Sequence, residues 1–267
     1  MSTLETISTP HLALGYLMLL VPLGIMLYTG LPLLRRTGIA ALRMTVQLLF
    51  VGFYLQVVFE RNHPGLNLLW MLVMILVADA SILSSCQLRL RTFALPLFVA
   101  ILAGTALPAL FFTRLLLRLD DPLTAQYFIP VGGMILGNCL RADIIGLHSF
   151  YTALRERETR YHTRLAHGAT TREALAPFTR EALRAALAPT LATMSTIGLV
   201  SLPGMMTGVI LAGANPMHAI HYQIAIMIAI FSGTSLTVFL GITLSRRHAL
   251  DAYGLLRPGL FRTDKLT

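Results

Sequence analysis

Apolar runs long enough to cross a bilayer recur along this chain, separated by short polar turns. A hydrocarbon core of about 30 Å takes roughly 20 residues of helix at about 1.5 Å each. Seven stretches meet that length: Leu12 to Leu34, Ile39 to Phe59, Leu66 to Ser85, Phe93 to Leu117, Gln126 to Leu147, Pro189 to Gly213 and Tyr222 to Leu244. The pattern predicts an all-α, polytopic membrane protein with about seven transmembrane helices. No basic residue precedes the first run, it exceeds a signal peptide's apolar region, and no clear small-residue cleavage site follows, so it is expected to persist as a helix.

One run is interrupted. "IGLVSLPGMMTGVILAG", from Ile197 to Gly213, sets Pro203 and four glycines among its apolar residues. Such breakers are tolerated in a membrane where the freed backbone groups face protein or a wet cavity, and transporters place substrate sites at broken helices. Leu202 to Gly208 is therefore the candidate lining or moving element. Gly204 and Gly208 also form a small-xxx-small pair that lets two helices approach closely.

The long polar segment, Phe150 to Leu187, has its own periodicity. Leu154, Tyr161 and Leu165 recur at near-helical spacing among Arg155, Glu156, Arg157, Glu158 and Arg160, so the fifth helix is expected to continue out of the bilayer. Gly168 suits its C-terminal cap. In "TTRE", Thr170 is an N-cap with Glu173 three places on, the capping-box spacing, opening a new short helix. Pro177 is expected to end that helix and open another, which re-enters the membrane near Pro189.

Composition and charge sharpen the class. Apolar residues make up 55% of the 267 positions and charged residues 12%, with a net charge of +9, outside the balance of a soluble domain. Basic residues cluster on one side of the expected topology: Arg35, Arg36 and Arg43, Arg89 and Arg91, the arginines between Arg155 and Arg184, and the tail from Arg246 to Lys265. Arg61, Arg114 and Arg118 fall on the other. Because basic loops are retained in the cytoplasm, the N-terminus is expected outside and the C-terminus inside. Inner-leaflet anchoring then accounts for the positive charge without nucleic acid. Cys86 and Cys139 imply no disulfide framework.

Several stretches together resemble a family. "GATTREA" followed by a rising helix resembles the coupling helix by which ABC transporter permeases dock on their ATPase subunits, although His162, Thr163 and Arg164 stand where the importer-type motif is acidic. "RMTVQLLFVGFYL" from Arg43, "PVGGMILGN" from Pro130, "LAHGAT" from Leu165, "REALRAALAPT" from Arg180 and "GLVSLPGMMTGVILAGANPMHAIHYQI" from Gly198 resemble the FetB (YbbM) family of ABC permeases, implicated in iron export. They are also close to plant membrane proteins linked to aluminium tolerance. The resemblance implies one permease domain over 1–267, with a cytoplasmic extension and ATPase-coupling helix at 150–187. It further implies a bacterial inner-membrane location, a permease homodimer and a separate ATPase chain that holds ATP and magnesium, this chain binding no cofactor. Leu165, Gly168, Ala169, Thr170 and Glu173 are the candidate coupling residues. Gln47, Asn138, Pro203, Gly204, Met205, Met206, Gly208 and Gln223 are candidates for the path or its gate.

Cargo chemistry is less specific. A soft or borderline metal takes thioether, thiolate or imidazole ligands. Met205, Met206 and His218 are the candidates, with Met217, His221 and Cys139 of the same types, yet no pair has diagnostic metal spacing. Asp79, Arg141 and Asp143 are costly in lipid and should face a cavity or a partner. Arg141 and Asp143, two apart, cannot face one another on a helix.

Other classes are tested by missing motifs. No G-x-x-x-x-G-K-[ST] run is present, so ATP hydrolysis would belong to another chain. The single lysine is Lys265 in the tail, which excludes a retinal Schiff base in a span. Neither H-E-x-x-H nor G-x-S-x-G occurs, and the chain is not expected to be an enzyme. Two alternatives are an ion-gradient-driven secondary transporter with Asp79 and Asp143 as proton carriers, which leaves the capped polar helix unexplained, and a seven-helix receptor.

Overall fold

The computed structural model describes residues 9–251 and 254–257, so the tail charges Arg262 and Lys265 lie outside the described residues. Ten helices follow in order: α1 (Thr9–Gly15), α2 (Leu20–Tyr28), α3 (Leu34–Arg61), α4 (Pro64–Ser85), α5 (Leu90–Phe111), α6 (Ala125–Glu156), α7 (Glu158–Ala166), α8 (Thr171–Thr196), α9 (Gly204–Leu211) and α10 (Pro216–Ala249). A 3-10 turn, Tyr16–Leu19, joins α1 to α2, and a π-helical turn, Phe112–Leu116, extends α5.

Among the described residues six helices are long and apolar enough to span a bilayer, not seven. The difference lies in Pro189–Gly213. Its first part belongs to the end of α8, the backbone leaves the helix at Ile197, and α9 starts afresh at Gly204. The break has a local cause. Pro203 lacks an N–H and disfavours helix at the residue before it, and Gly198 sits at φ +87°, the left-handed region that glycine enters without a Cβ clash. The first span also ends earlier than its hydropathy suggests, at Tyr28, and Leu34 already belongs to α3.

The core is built where α10 packs on α5 and α6, with α4 against α5 and α6 and α8 closing the far side. The α5–α10 crossing is close: a Cβ on Gly233 would stand 2.6 Å from the Gly104 carbonyl oxygen. Only backbones without side chains approach so nearly in a membrane. By contrast α3 buries only Val58, and its Leu42, Val46, Leu49 and Phe53 face outward with the same apolar character as the core. Such surface needs a hydrocarbon solvent or another protein.

Polar groups pin the turns at one end of the bundle. Asn62, the left-handed C-cap of α3, accepts from the Ala125 N–H at 2.9 Å, and the buried Asn67 amide donates to the Leu123 carbonyl at 2.8 Å. Tyr54 stacks on Trp70 with ring centroids 4.0 Å apart, fastening the end of α3 to α4.

Candidate functional site

The polar segment folds into a helical projection that continues the bundle. α6 runs unbroken through 32 residues, about 48 Å, so its last turns extend past an apolar layer. The helix breaks at Arg157, whose guanidinium donates to both carboxylate oxygens of Glu181 on α8, at 2.8 and 2.9 Å, and lies 5.6 Å from the Phe178 ring centroid. That pairing holds the Glu181 carboxyl below its ordinary value and the guanidinium above its own.

α7 then ends as expected. Gly168 takes φ +86°, its N–H reaches the Leu165 carbonyl at 2.9 Å and the Ala169 N–H reaches that of Arg164 at 3.1 Å, satisfying carbonyls the helix leaves open. Thr170 caps α8: its hydroxyl oxygen accepts from the Glu173 N–H at 3.3 Å, and its own N–H donates to the Glu173 carboxylate at 2.8 Å. The Thr170 hydroxyl and N–H together hold the Glu173 carboxyl below its usual value. Thr170 and Glu173 are exposed at the tip of the projection, Ala169 is half-buried, and Leu165 is half-buried against the residues behind it.

Two features of this projection differ from expectation, the first being that the helix expected to run on to Gly168 breaks at Arg157. Pro177 does not end a short helix, because α8 continues through both Pro177 and Pro189 to Thr196. Its first half is held by a buried stripe of Ala174, Leu175, Phe178, Ala182 and Ala186. The segment after α10 returns to α7: the Tyr161 hydroxyl donates to the Gly254 carbonyl at 2.7 Å. Burial, with Asp251 as a lesser influence, pushes that phenol's pKa up.

Beyond the break lies a cavity of about 340 Å³ between α6, α9 and the start of α10. It brings together Met205, Met206, His218 and Gln223, which the sequence holds up to eighteen positions apart, with Tyr127 and Met134 on the opposite wall. The polar and soft groups on its walls are three thioethers, an imidazole, two amides and two phenols. No carboxylate or thiol lines it, and among the described residues no three His, Cys, Asp or Glu side chains form a metal-holding group. This arrangement suits brief contact with a soft cation rather than tight capture.

The other candidates are not brought here. Gln47 lines a separate cleft between α3 and α4 of about 730 Å³. Asn138 donates to the Met134 carbonyl at 2.8 Å and borders a cavity of about 160 Å³ with Arg141, Thr190 and Thr193. Pro203 is the N-cap of α9; Gly204 and Gly208 have no neighbour within 4 Å of where a Cβ would stand, so no helix of this chain packs on them. Met217 and His221 are exposed outside the 340 Å³ cavity.

Sequence patterning missed how the interior polar groups meet. Asp143 on α6 accepts from the Thr237 hydroxyl on α10 at 2.8 Å, and the Tyr151 hydroxyl donates to Ser245 at 2.8 Å. The available signal was a polar residue at an otherwise apolar helical position in each of two spans.

Comparison with known proteins adds relatives. The uncharacterised protein family UPF0014 matches residues 9–250. The UPF0014 membrane protein YjkA of Bacillus subtilis is 33% identical, over 74% of this chain and 78% of its own. The probable iron export permease protein FetB of Escherichia coli is 32% identical, over 77% and 78%. Protein ALUMINUM SENSITIVE 3 of Arabidopsis thaliana is 36% identical, over 69% and 66%. No solved structure matches the chain.

Proposed function

For this chain, which belongs to the UPF0014 family of multi-pass membrane proteins, we propose the role of the membrane-spanning permease subunit of an ABC transporter, moving iron or a related metal out of the cytoplasm. Two copies pair, and a separate cytoplasmic ATPase binds ATP and magnesium. The observation that carries this reading is the continuity of α8. One helix of 26 residues, about 39 Å, links the capped turn at Gly168 and Thr170 to the broken segment at Ile197–Pro203, beside the cavity holding Met205, Met206 and His218. A rigid rod with an exposed tip and a flexible far joint transmits displacement of the tip to the cavity wall.

In this mechanism the ATPase grips the Leu165–Glu173 turn. Nucleotide-driven closure moves α8, the joint at Gly198 and Pro203 absorbs the rotation, and α9 swings against α10. The cavity then exchanges access between the two faces of the membrane, with the end of α8 and α9 together serving as a seventh, discontinuous crossing. In this reading seven crossings set the termini on opposite faces, and cytoplasmic retention of the basic loops supports an outside N-terminus and a cytoplasmic C-terminus in a bacterial inner membrane. The metal and the direction follow the E. coli relative, a probable iron export permease.

The test uses inverted vesicles carrying this chain and its Walker-motif partner. Ferrous iron should accumulate only when ATP and both chains are present, and Met205→Leu with Met206→Leu and His218→Asn should slow it. Association of the two chains without iron accumulation would retain the permease and discard that cargo. ATP-independent accumulation by this chain alone would favour the ion-gradient transporter, for which the buried Asp79 and Asp143 are the supporting observation.

A further inference from the structure

The least expected chemistry lies in the middle of the bundle. Asp143 is 1% exposed and Asp79 4% exposed, on adjoining helices α6 and α4. One oxygen of Asp143 accepts from Thr237, while its Oδ1, 3.7 Å from where a Cβ on Gly241 would stand, has no protein donor. Asp79 Oδ1 is buried and likewise lacks one.

The surroundings of this pair contain acids and hydroxyls. The titratable group that acts on Asp143 is Asp79, and Asp143 in turn acts on the thiols of Cys86, at the end of α4, and Cys139 on α6. Tyr151, also on α6, is committed to Ser245 of α10. α10 presents Thr237, which carries no charge, and among the described residues α5 buries no titratable side chain. Among the described residues no Lys or Arg is seen paired with either carboxyl, and the ion pairs Arg157–Glu181 and His162–Glu158 lie in the polar projection.

A carboxylate in such a place must be neutralised. Burying an unpaired ion costs several kcal/mol at least, and two adjacent anions add repulsion. With no basic side chain at hand, the neutralising species comes from outside the chain. The smallest that fits between packed helices is a proton, and the absence of any three-ligand group agrees with that choice over a metal.

We propose that Asp143 and Asp79 form a proton-binding site in the membrane interior, loaded in this conformation and able to release when α10 shifts against α6. The site rests on the transport reading for its purpose but not on the source of energy. Thr237 is a positioning residue: its hydroxyl orients Asp143 and strengthens whichever state it faces. α10 also forms one wall of the 340 Å³ cavity, at His218 and Gln223, so the helix that contacts the cargo is the helix that closes over the acid. Release of the proton leaves a carboxylate that balances the charge of an incoming cation, with no bond formed or broken beyond O–H.

Infrared spectroscopy of the whole chain in lipid vesicles tests this without requiring transport. At neutral pH, Asp143→Asn and Asp79→Asn should each remove a protonated-carboxyl C=O band. Thr237→Ala should shift the frequency of the Asp143 band, which a merely structural threonine would not do. Raising the pH should abolish the bands reversibly, and transfer to heavy water should shift them. Ionised carboxylate bands at neutral pH, or protonated bands that neither titrate nor exchange before the protein unfolds, would overturn the proposal. Bands that behave as expected in vesicles where this chain alone accumulates iron without ATP would retain the proton site and discard the ABC reading.

Discussion

Glu173 performs two tasks at the tip of the projection, accepting from the Thr170 N–H and hydroxyl while its own N–H is capped by that same hydroxyl. An N-cap threonine replaced by alanine costs about 1 kcal/mol. Thr170→Ala should therefore speed amide exchange in the first turn of α8 several-fold while leaving the α5–α10 core unchanged. The pH dependence follows from the same bonds. The folded carboxyl lies below its ordinary value of 4.5, so its contribution is complete above that value and is lost as pH falls through the folded one. Exchange at the turn, taken relative to the intrinsic rate at each pH, should be flat from neutral pH down to about pH 5 and should rise below about pH 4. In Glu173→Gln that acid-dependent rise should disappear. Gly168 and the Thr170–Glu173 pair were legible in the sequence because capping is a short-range code. Tyr161 was legible only as a stripe residue, since its partner Gly254 lies 93 positions away.

Helix α8 and the α5–α10 crossing show where local rules lose to packing. Pro177 and Pro189 each remove one backbone bond, yet α8 persists because its stripe from Ala174 to Ala186 is buried against α6 and α10. Further on, the Thr193, Ser195 and Thr196 hydroxyls bond back to carbonyls four residues earlier, at 3.0, 2.9 and 3.0 Å, so these side chains are satisfied within the helix itself. Apolar periodicity located the spans but could not tell a continuous proline-bearing helix from two short ones. A register test follows from the rod. One alanine inserted after Leu191 turns everything beyond it by about 100° relative to the tip; ATPase association should remain while ATP-dependent uptake falls to background. Equal uptake would remove α8 as the transmitter. The crossing gives a stability test independent of transport. Gly233→Ala drives a Cβ to 2.6 Å from the Gly104 carbonyl oxygen, an overpacking that costs about 1–3 kcal/mol and should lower the melting midpoint in detergent. Gly137→Ala, with nothing within 4 Å, should leave the midpoint equal or slightly raised.

At the scale of the molecule, the described chain divides its surface unevenly. α4, α5, α6 and α10 carry almost all the burial among the spans, whereas α2 buries nothing and α3 buries one residue. α9 likewise buries none of its residues, and its Gly204 and Gly208 face open space one helical turn apart. Small residues at that spacing let helices in a membrane approach until backbones touch. Two-fold pairing is the commonest closed arrangement of identical chains, and in it a patch meets its own copy. If α9 lies on that axis, a residue at 208 in one copy stands near 208 in the other. Gly208→Cys tests this in native vesicles, because Cys86 and Cys139 are both buried and contribute no background crosslink. Mild oxidation should convert Gly208→Cys into a dimer on a non-reducing gel, while a cysteine replacing the outward-facing Leu42 on α3 should remain monomeric. The reverse pattern would move the axis to α3 and leave α9 facing lipid. Crosslinking should also respond to ATP in the presence of the partner chain, since a joint at Gly198 and Pro203 that carries α9 must change the distance between its two copies. A crosslink insensitive to nucleotide would make α9 a static seam and return the moving role to α10.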